Sequence, residues 1–179
     1  MSEIRLLTES DAEEFWALRL RMLREEPESF GSSYEESVDT PIADVAKRLQ
    51  ASDNQFVLGA FTPELAGSVG CFRRTGIKSR HKAMIWGVYV AAEHRGEGLG
   101  RALLAAAIER AAGIAGLEQL VLQVVTTNEA AYRLYYSLGF TPYGLEGAAL
   151  KVGDRYLDEH LMMLELERIR YAERIPWLE

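Results

Sequence analysis

Cysteine is almost absent from this 179-residue chain, in which Cys71 stands alone. A single thiol forms no internal disulfide, and without a C-x-x-C pair or a Cys/His cluster the sequence gives no sign of a structural metal. Positive charge is also in deficit: 20 Lys and Arg against 27 Asp and Glu leave a formal net charge of −7. That balance argues against gripping a nucleic-acid backbone and mildly favours a cationic or amine ligand. No apolar run is long enough to span a bilayer, and no basic stretch followed by an apolar one after Met1 suggests export. The expectation is therefore a cytoplasmic chain without nucleic-acid, membrane or metal partners.

What is present is ordinary for a globular domain, with 48% hydrophobic and 26% charged residues. A domain of this size buries about 70% of its unfolded surface, enough for a core without staples. No repeat, low-complexity tract or linker divides the chain. One domain over residues 1–166 is expected, followed by a C-terminal extension over 167–179.

Elements follow from pattern. Ile4 to Thr8 reads as an opening strand, and Ser10 with Glu13 as a capping box for a helix carrying Phe15, Leu18 and Met22 on one face. Pro27 to Thr40 reads as a loop, and Pro41 as the first turn of a short helix capped by Thr40. Gln55–Phe61 and Leu65–Arg74 read as a hairpin around Thr62-Pro63-Glu64. After Ala83 to Val90, a strand, comes a helix from Leu99 to Ala112. The nearly continuous apolar run Leu120 to Val125 suits a parallel strand covered on both faces. A helix from Thr127 or Asn128 places Ala131, Leu134, Tyr135 and Leu138 on one face, with Gly139 as a left-handed cap and Phe140 packing back. Two strands, about Tyr143 to Val152 and Arg155 to Leu166, complete the pattern.

The chemistry concentrates between Trp86 and Ala107. A strand runs into Arg95-Gly96-Glu97-Gly98-Leu99-Gly100-Arg101 and then into a helix, a layout in which backbone N–H groups turn toward an anion. A nucleoside triphosphatase loop would need Lys-Ser/Thr after the glycines, and a dinucleotide fingerprint would need Gly or Ala where Leu103 stands. Neither requirement is met.

R95-x-x-G98-x-G100 resembles the acyl-CoA-binding motif of the GNAT superfamily of N-acetyltransferases. The segment N128-E-A-A131-Y-R-L134-Y135-Y-S-L-G139-F140 is similar to that superfamily's second motif, in the expected order. The resemblance implies an α/β fold: a mixed, centrally splayed sheet of about seven strands flanked by about four helices. It implies that acetyl-CoA is held by main-chain groups of Val88, Tyr89 and Val90, by the loop Arg95, Gly96, Glu97, Gly98, Leu99, Gly100 and Arg101, and by Asn128. Asn128 also suits a helix N-cap. Tyr135 is implied as the general acid for the departing thiolate, and its periodicity equally fits a core tyrosine.

The acceptor would be a small-molecule or peptide amine lying between residues 26–36 and 150–156. The acids Glu25, Glu26, Glu28, Glu35 and Glu36 of the first stretch and its edge are consistent with a cation. Glu93, His94, Glu159 and His160 are candidate bases, none assigned. Ala92 stands where relatives often have proline. Cys71 lies outside both motifs, which disfavours a cysteine acyl-enzyme. A homodimer is plausible by base rate. The alternative is a non-catalytic acyl-CoA-binding or sensing domain.

Overall fold

The computed structural model describes residues 2–167; the expected extension lies, from residue 168 on, outside the described residues. Seven strands form one mixed sheet in the order β1-β2-β3-β4-β5-β7-β6. These are β1 Glu3–Leu6, β2 Gln55–Phe61, β3 Leu65–Arg73, β4 Lys82–Val90, β5 Gln119–Val125, β6 Thr141–Val152 and β7 Arg155–Glu165. The helices are α1 Ala12–Glu25, α2 Tyr34–Ser37, α3 Ile42–Arg48, α4 Leu99–Ala112 and α5 Glu129–Ser137.

Each face of the sheet carries its own core. Leu103, Leu104, Ala107 and Ala111 of α4 and Tyr135 of α5 pack with Leu120, Leu122, Met162 and Phe140. On the opposite face Phe15, Trp16, Met22 and Leu23 of α1 and Val45 of α3 pack with Val57 and Tyr89. The apolar positions of α1 and α4 recur at helical spacing, so each helix presents one stripe to its layer.

Three local readings differ from the expectation. The cap before α1 is made by Thr8 and Asp11 rather than by Ser10 and Glu13: the Thr8 amide and hydroxyl both donate to the Asp11 carboxylate, which also holds Arg5 through two bonds of 2.9 and 2.7 Å. Within residues 27–40, read as loop, Ser33 and Glu36 cap the single helical turn α2. A single turn is too short for periodicity to reveal. The second helix of the sequence reading, α3, begins after Pro41, which acts as its N-cap residue, without a side-chain cap.

The centre of the sheet splays because β4 and β5, the only parallel pair among the described residues, stay together for three residues. Lys82, Ala83 and Met84 pair with Gln119, Leu120 and Val121. Beyond them β5 remains bonded to β7 as far as Val125, while β4 remains with β3. β4 also bulges: Ser68 pairs with Tyr89 but Gly70 with Trp86, leaving one extra residue on β4, where Gly87 adopts φ +60. Gly70 makes room for this, since a Cβ there would sit 2.1 Å from the Trp86 ring. Bulges bend the strand and re-aim its side chains. Here the bulge leaves one edge of β4 unpaired after Met84. Among the described residues, no helix is long and apolar enough to cross a membrane.

Candidate active site

The splay opens a cleft of about 570 Å³. One wall is β4 from Ile85 to Val90, the other is β5 at Leu122, Gln123 and Val124 with α5, and the floor is the loop leading into α4. The sequence-predicted residues Val88, Tyr89, Val90, Arg95, Gly96, Gly98, Leu99, Gly100, Arg101, Asn128 and Tyr135 all line it. Glu97 does not; its side chain lies 3.7 Å from His94.

Residues 95–101 are shaped for a phosphate. Gly96 and Gly98 adopt φ +82 and +81, a region that costs L-residues with a Cβ roughly 1–2 kcal/mol. A Cβ on either would meet nothing within 4 Å. The glycines are therefore required by backbone shape and leave open space above the loop. Gly98 is the N-cap of α4, with no side-chain cap and no acidic residue in the first turn. The orphan N–H groups of that turn face the cleft with the positive end of the helix dipole. These features fit the pyrophosphate of coenzyme A.

The open edge of β4 adds main-chain groups. The Ala91 amide donates to Ala66 of β3, so by strand alternation the Val90 groups turn toward the cleft. The Val90 carbonyl accepts a 3.0 Å bond from Arg95 Nε. Arg95 also pairs with Glu26 and lies over the Tyr89 ring. Glu93, close by in sequence, pairs instead with Arg21. The Tyr89 side chain points away into the α1 layer, where its hydroxyl donates to Glu25 at 2.8 Å. Burial first, and that bond second, push its phenol up to about 12.

Across the cleft Asn128 caps α5, its Oδ1 accepting from the Ala131 amide at 3.1 Å. Arg101 donates to Ser137 at 2.8 Å. Tyr135 is 7% exposed and its ring meets Phe140 edge-on at 6.1 Å. Among the described residues its hydroxyl has no hydrogen-bond partner, yet no fully occluded side-chain oxygen lacks one. The hydroxyl thus reaches the cleft it lines. Burial raises its pKa above the ordinary phenol value, so it stays protonated at neutral pH.

The candidate bases separate electrostatically. Hydrogen bonds from Arg21 hold Glu93 down to about 2, which makes it a poor proton acceptor. Burial, and then Glu146, raise Glu159, but neither Glu159 nor His160 lines the cleft. The His160 ring packs on Tyr132 at 4.8 Å. Cys71 is buried and its thiol is pushed up to about 12 by desolvation, so it is not a poised nucleophile. Among the described residues no group of three or more His, Cys, Asp or Glu could hold a metal ion.

Sequence reasoning passed over Trp86, Gly87 and Phe30, which also line the cleft. A glycine interrupting an apolar strand is a bulge signal, and Gly87 carried it.

A mixed sheet that splays at a glycine-opened helix is the arrangement that the resemblance to the GNAT superfamily implies. The profile of the Acetyltransferase (GNAT) family matches residues 18–140, and the chain belongs to that family. It is 34% identical over 142 residues to the mycothiol acetyltransferase of Thermobispora bispora, covering 76% of this chain and 45% of that one. Over 81 residues it is 40% identical to an L-methionine sulfoximine/L-methionine sulfone acetyltransferase of Salmonella typhimurium, covering 45% of this chain and 46% of that one. The chain thus spans about half the length of these curated relatives. A GNAT-family acetyltransferase structure from Streptococcus pneumoniae superposes with a TM-score of 0.84 at 27% identity, covering 92% of this chain and 99% of that one.

Proposed function

We propose that this chain is an N-acetyltransferase that moves an acetyl group from acetyl-CoA to a primary amine by direct attack in a ternary complex. The observation that carries this reading is the Tyr135 hydroxyl, which lies without a partner among the described residues in the same cleft as the open edge of β4 and the uncapped start of α4.

Acetyl-CoA, when bound, supplies an acetyl thioester already activated for transfer. The amides of Gly98, Leu99 and Gly100 hold the pyrophosphate, and Arg101 adds positive charge beside it. The edge of β4 at Val88 and Val90 aligns the pantetheine as an additional strand and aims an N–H at the acetyl oxygen. A donor so placed is typically worth about 2.7–4 kcal/mol. As the neutral amine nitrogen bonds to the acetyl carbon and the carbon–sulfur bond breaks, the Tyr135 Oη gives its proton to the departing sulfur. The nitrogen loses one proton to solvent and the phenolate regains one from it, so that amine and thioester become amide and thiol. A phenol and a thiol have ordinary pKa values of about 10 and 8.5, close enough for that transfer, and burial, which raises the Tyr135 phenol, keeps the proton on oxygen until the thiolate forms.

The amine approaches from the side of residues 26–36, next to a second cavity of about 590 Å³ between this stretch and the β6–β7 turn. A bond from Arg155 to Glu28 of 2.7 Å ties the two together. The reading is tested by mixing the chain with acetyl-CoA and a panel of amines and following released thiol. Thiol release that depends on the amine supports transfer; tight acetyl-CoA binding with no amine-dependent release supports instead a binding or sensing domain.

A further inference from the structure

Arg19, midway along α1, is a half-buried cation without an anion among the described residues. No carboxylate pairs with it among the described residues. Its Nη2 donates to Ser32 Oγ at 3.3 Å, its guanidinium lies 5.1 Å from the Trp86 ring centre, and its Nη1 is 3.1 Å from where a Cβ on Gly87 would sit. A guanidinium carries five N–H donors, so most of its donors remain unspent. Burial, and then the nearby Arg48, bring it down to about 10. A guanidinium partly withdrawn from water, with donors to spare, is a ready partner for a carboxylate.

Its place indicates where such a carboxylate comes from. Trp86 and Gly87 line the coenzyme cleft, Ser32 lines the second cavity, and Phe30 lines both. Arg19 itself lines neither space, but its contacts Ser32, Trp86 and Gly87 do, which puts its guanidinium at the wall where the two meet, beside the β4 bulge. The acids of the neighbouring stretch do not neutralise it. Glu25 is held by Arg21 and Tyr89, Glu26 by Arg95, Glu28 by Arg155 and Glu36 by the Ser33 cap. Of the five carboxylates that suggested a cationic acceptor, four are committed to internal partners. Glu35, exposed on the wall of the second cavity, has none among the described residues, and Arg19 is the cation beside the bulge that none of the five pairs with.

We infer that Arg19 binds a carboxylate on the acceptor, and that the acceptor is an α-amino acid. An α-amino acid carries its amine one carbon away from its carboxylate. A carboxylate seated on Arg19 therefore leaves the amine beside the bulge, where β4 opens to the coenzyme cleft. Trp86 and Phe30 supply apolar surface for the remainder of the molecule. This inference rests on the transferase reading above.

The test measures thiol release from acetyl-CoA with L-amino acids, including L-methionine sulfone, each compared with its carboxamide and its decarboxylated amine; spermidine and a tripeptide complete the panel. The free acids are expected to exceed their amides in kcat/KM by about tenfold or more, the scale of one charge-assisted hydrogen-bonded pair. Arg19→Gln and the milder Ser32→Ala are expected to narrow that ratio, mainly through KM. Acetyl-CoA affinity, measured on the same samples, reports that the variants are folded. Equal use of acids and amides by the unmodified chain overturns the inference alone, as does an acid preference that survives in Arg19→Gln. Bound acetyl-CoA with no transfer to any member overturns the transferase reading and the inference with it.

Discussion

Arg95 Nε bonds to the Val90 carbonyl at 3.0 Å, so the arginine of the phosphate loop occupies the edge of β4 that the pantetheine would use. The same side chain pairs with Glu26 across the mouth of the cleft. Binding of acetyl-CoA must therefore exchange these contacts for others, and a phosphate within reach of the guanidinium is the natural replacement.

Two variants separate the contributions. Glu26→Gln removes a partly exposed ion pair, of a kind worth about 0.2–1 kcal/mol, and frees Arg95; acetyl-CoA is expected to bind up to a few-fold more tightly. Arg95→Ala removes a charged donor and is expected to weaken binding about tenfold. Titration calorimetry reads both, and equal affinities in the two variants would contradict this assignment.

Gly98 adopts φ +81 with open space around its absent side chain. Gly98→Val is expected to cost roughly 1–2 kcal/mol of stability from backbone conformation alone, and to abolish measurable acetyl-CoA binding by filling the cradle. Thermal melts with and without acetyl-CoA test both effects: a lower Tm and a lost ligand-induced rise are expected.

Asp11 accepts from Arg5 and from the Thr8 amide, and chiefly the Arg5 bonds hold its carboxyl down to about 2. Because its folded pKa lies below the unfolded value of about 3.9, its stabilisation is complete above that value. It is lost as the pH falls through about 2. Denaturant melts should show Asp11→Asn destabilised by about 1 kcal/mol at pH 7, as for loss of a helix cap, with the gap to the unmodified chain closing between about pH 4 and pH 2. A gap that persists at pH 2 would contradict it.

The elements carrying the site were legible because each has its own local signal. Leu120 to Val125 reads as a covered strand from unbroken apolarity. The Gly139–Phe140 cap is explicit: Gly139 sits at φ +97, and fully buried Phe140 bonds back to the Tyr135 carbonyl. The phosphate loop announced itself by glycine spacing before a helix. What stayed hidden depends on distant partners. Arg95 and Glu26 lie 69 residues apart, and neither neighbourhood predicts their pairing. Arg19 sits on α1 beside the core residue Leu18, and its isolation exists only once Ser32 and Trp86 have closed around it. Glu26 and Glu28 read as open negative charge because the cations that pair with them, Arg95 and Arg155, come from distant elements.

Tyr135→Phe tests the central claim most directly. The hydroxyl makes no hydrogen bond with the described residues, and the ring keeps its edge contact with Phe140, so fold and acetyl-CoA affinity should be preserved. Amine-dependent thiol release measured beside acetyl-CoA affinity on the same sample is expected to fall about 10²–10⁴-fold, the usual contribution of a positioned acid, at unchanged affinity. Transfer at the unmodified rate would contradict the role of Tyr135 in the cleft.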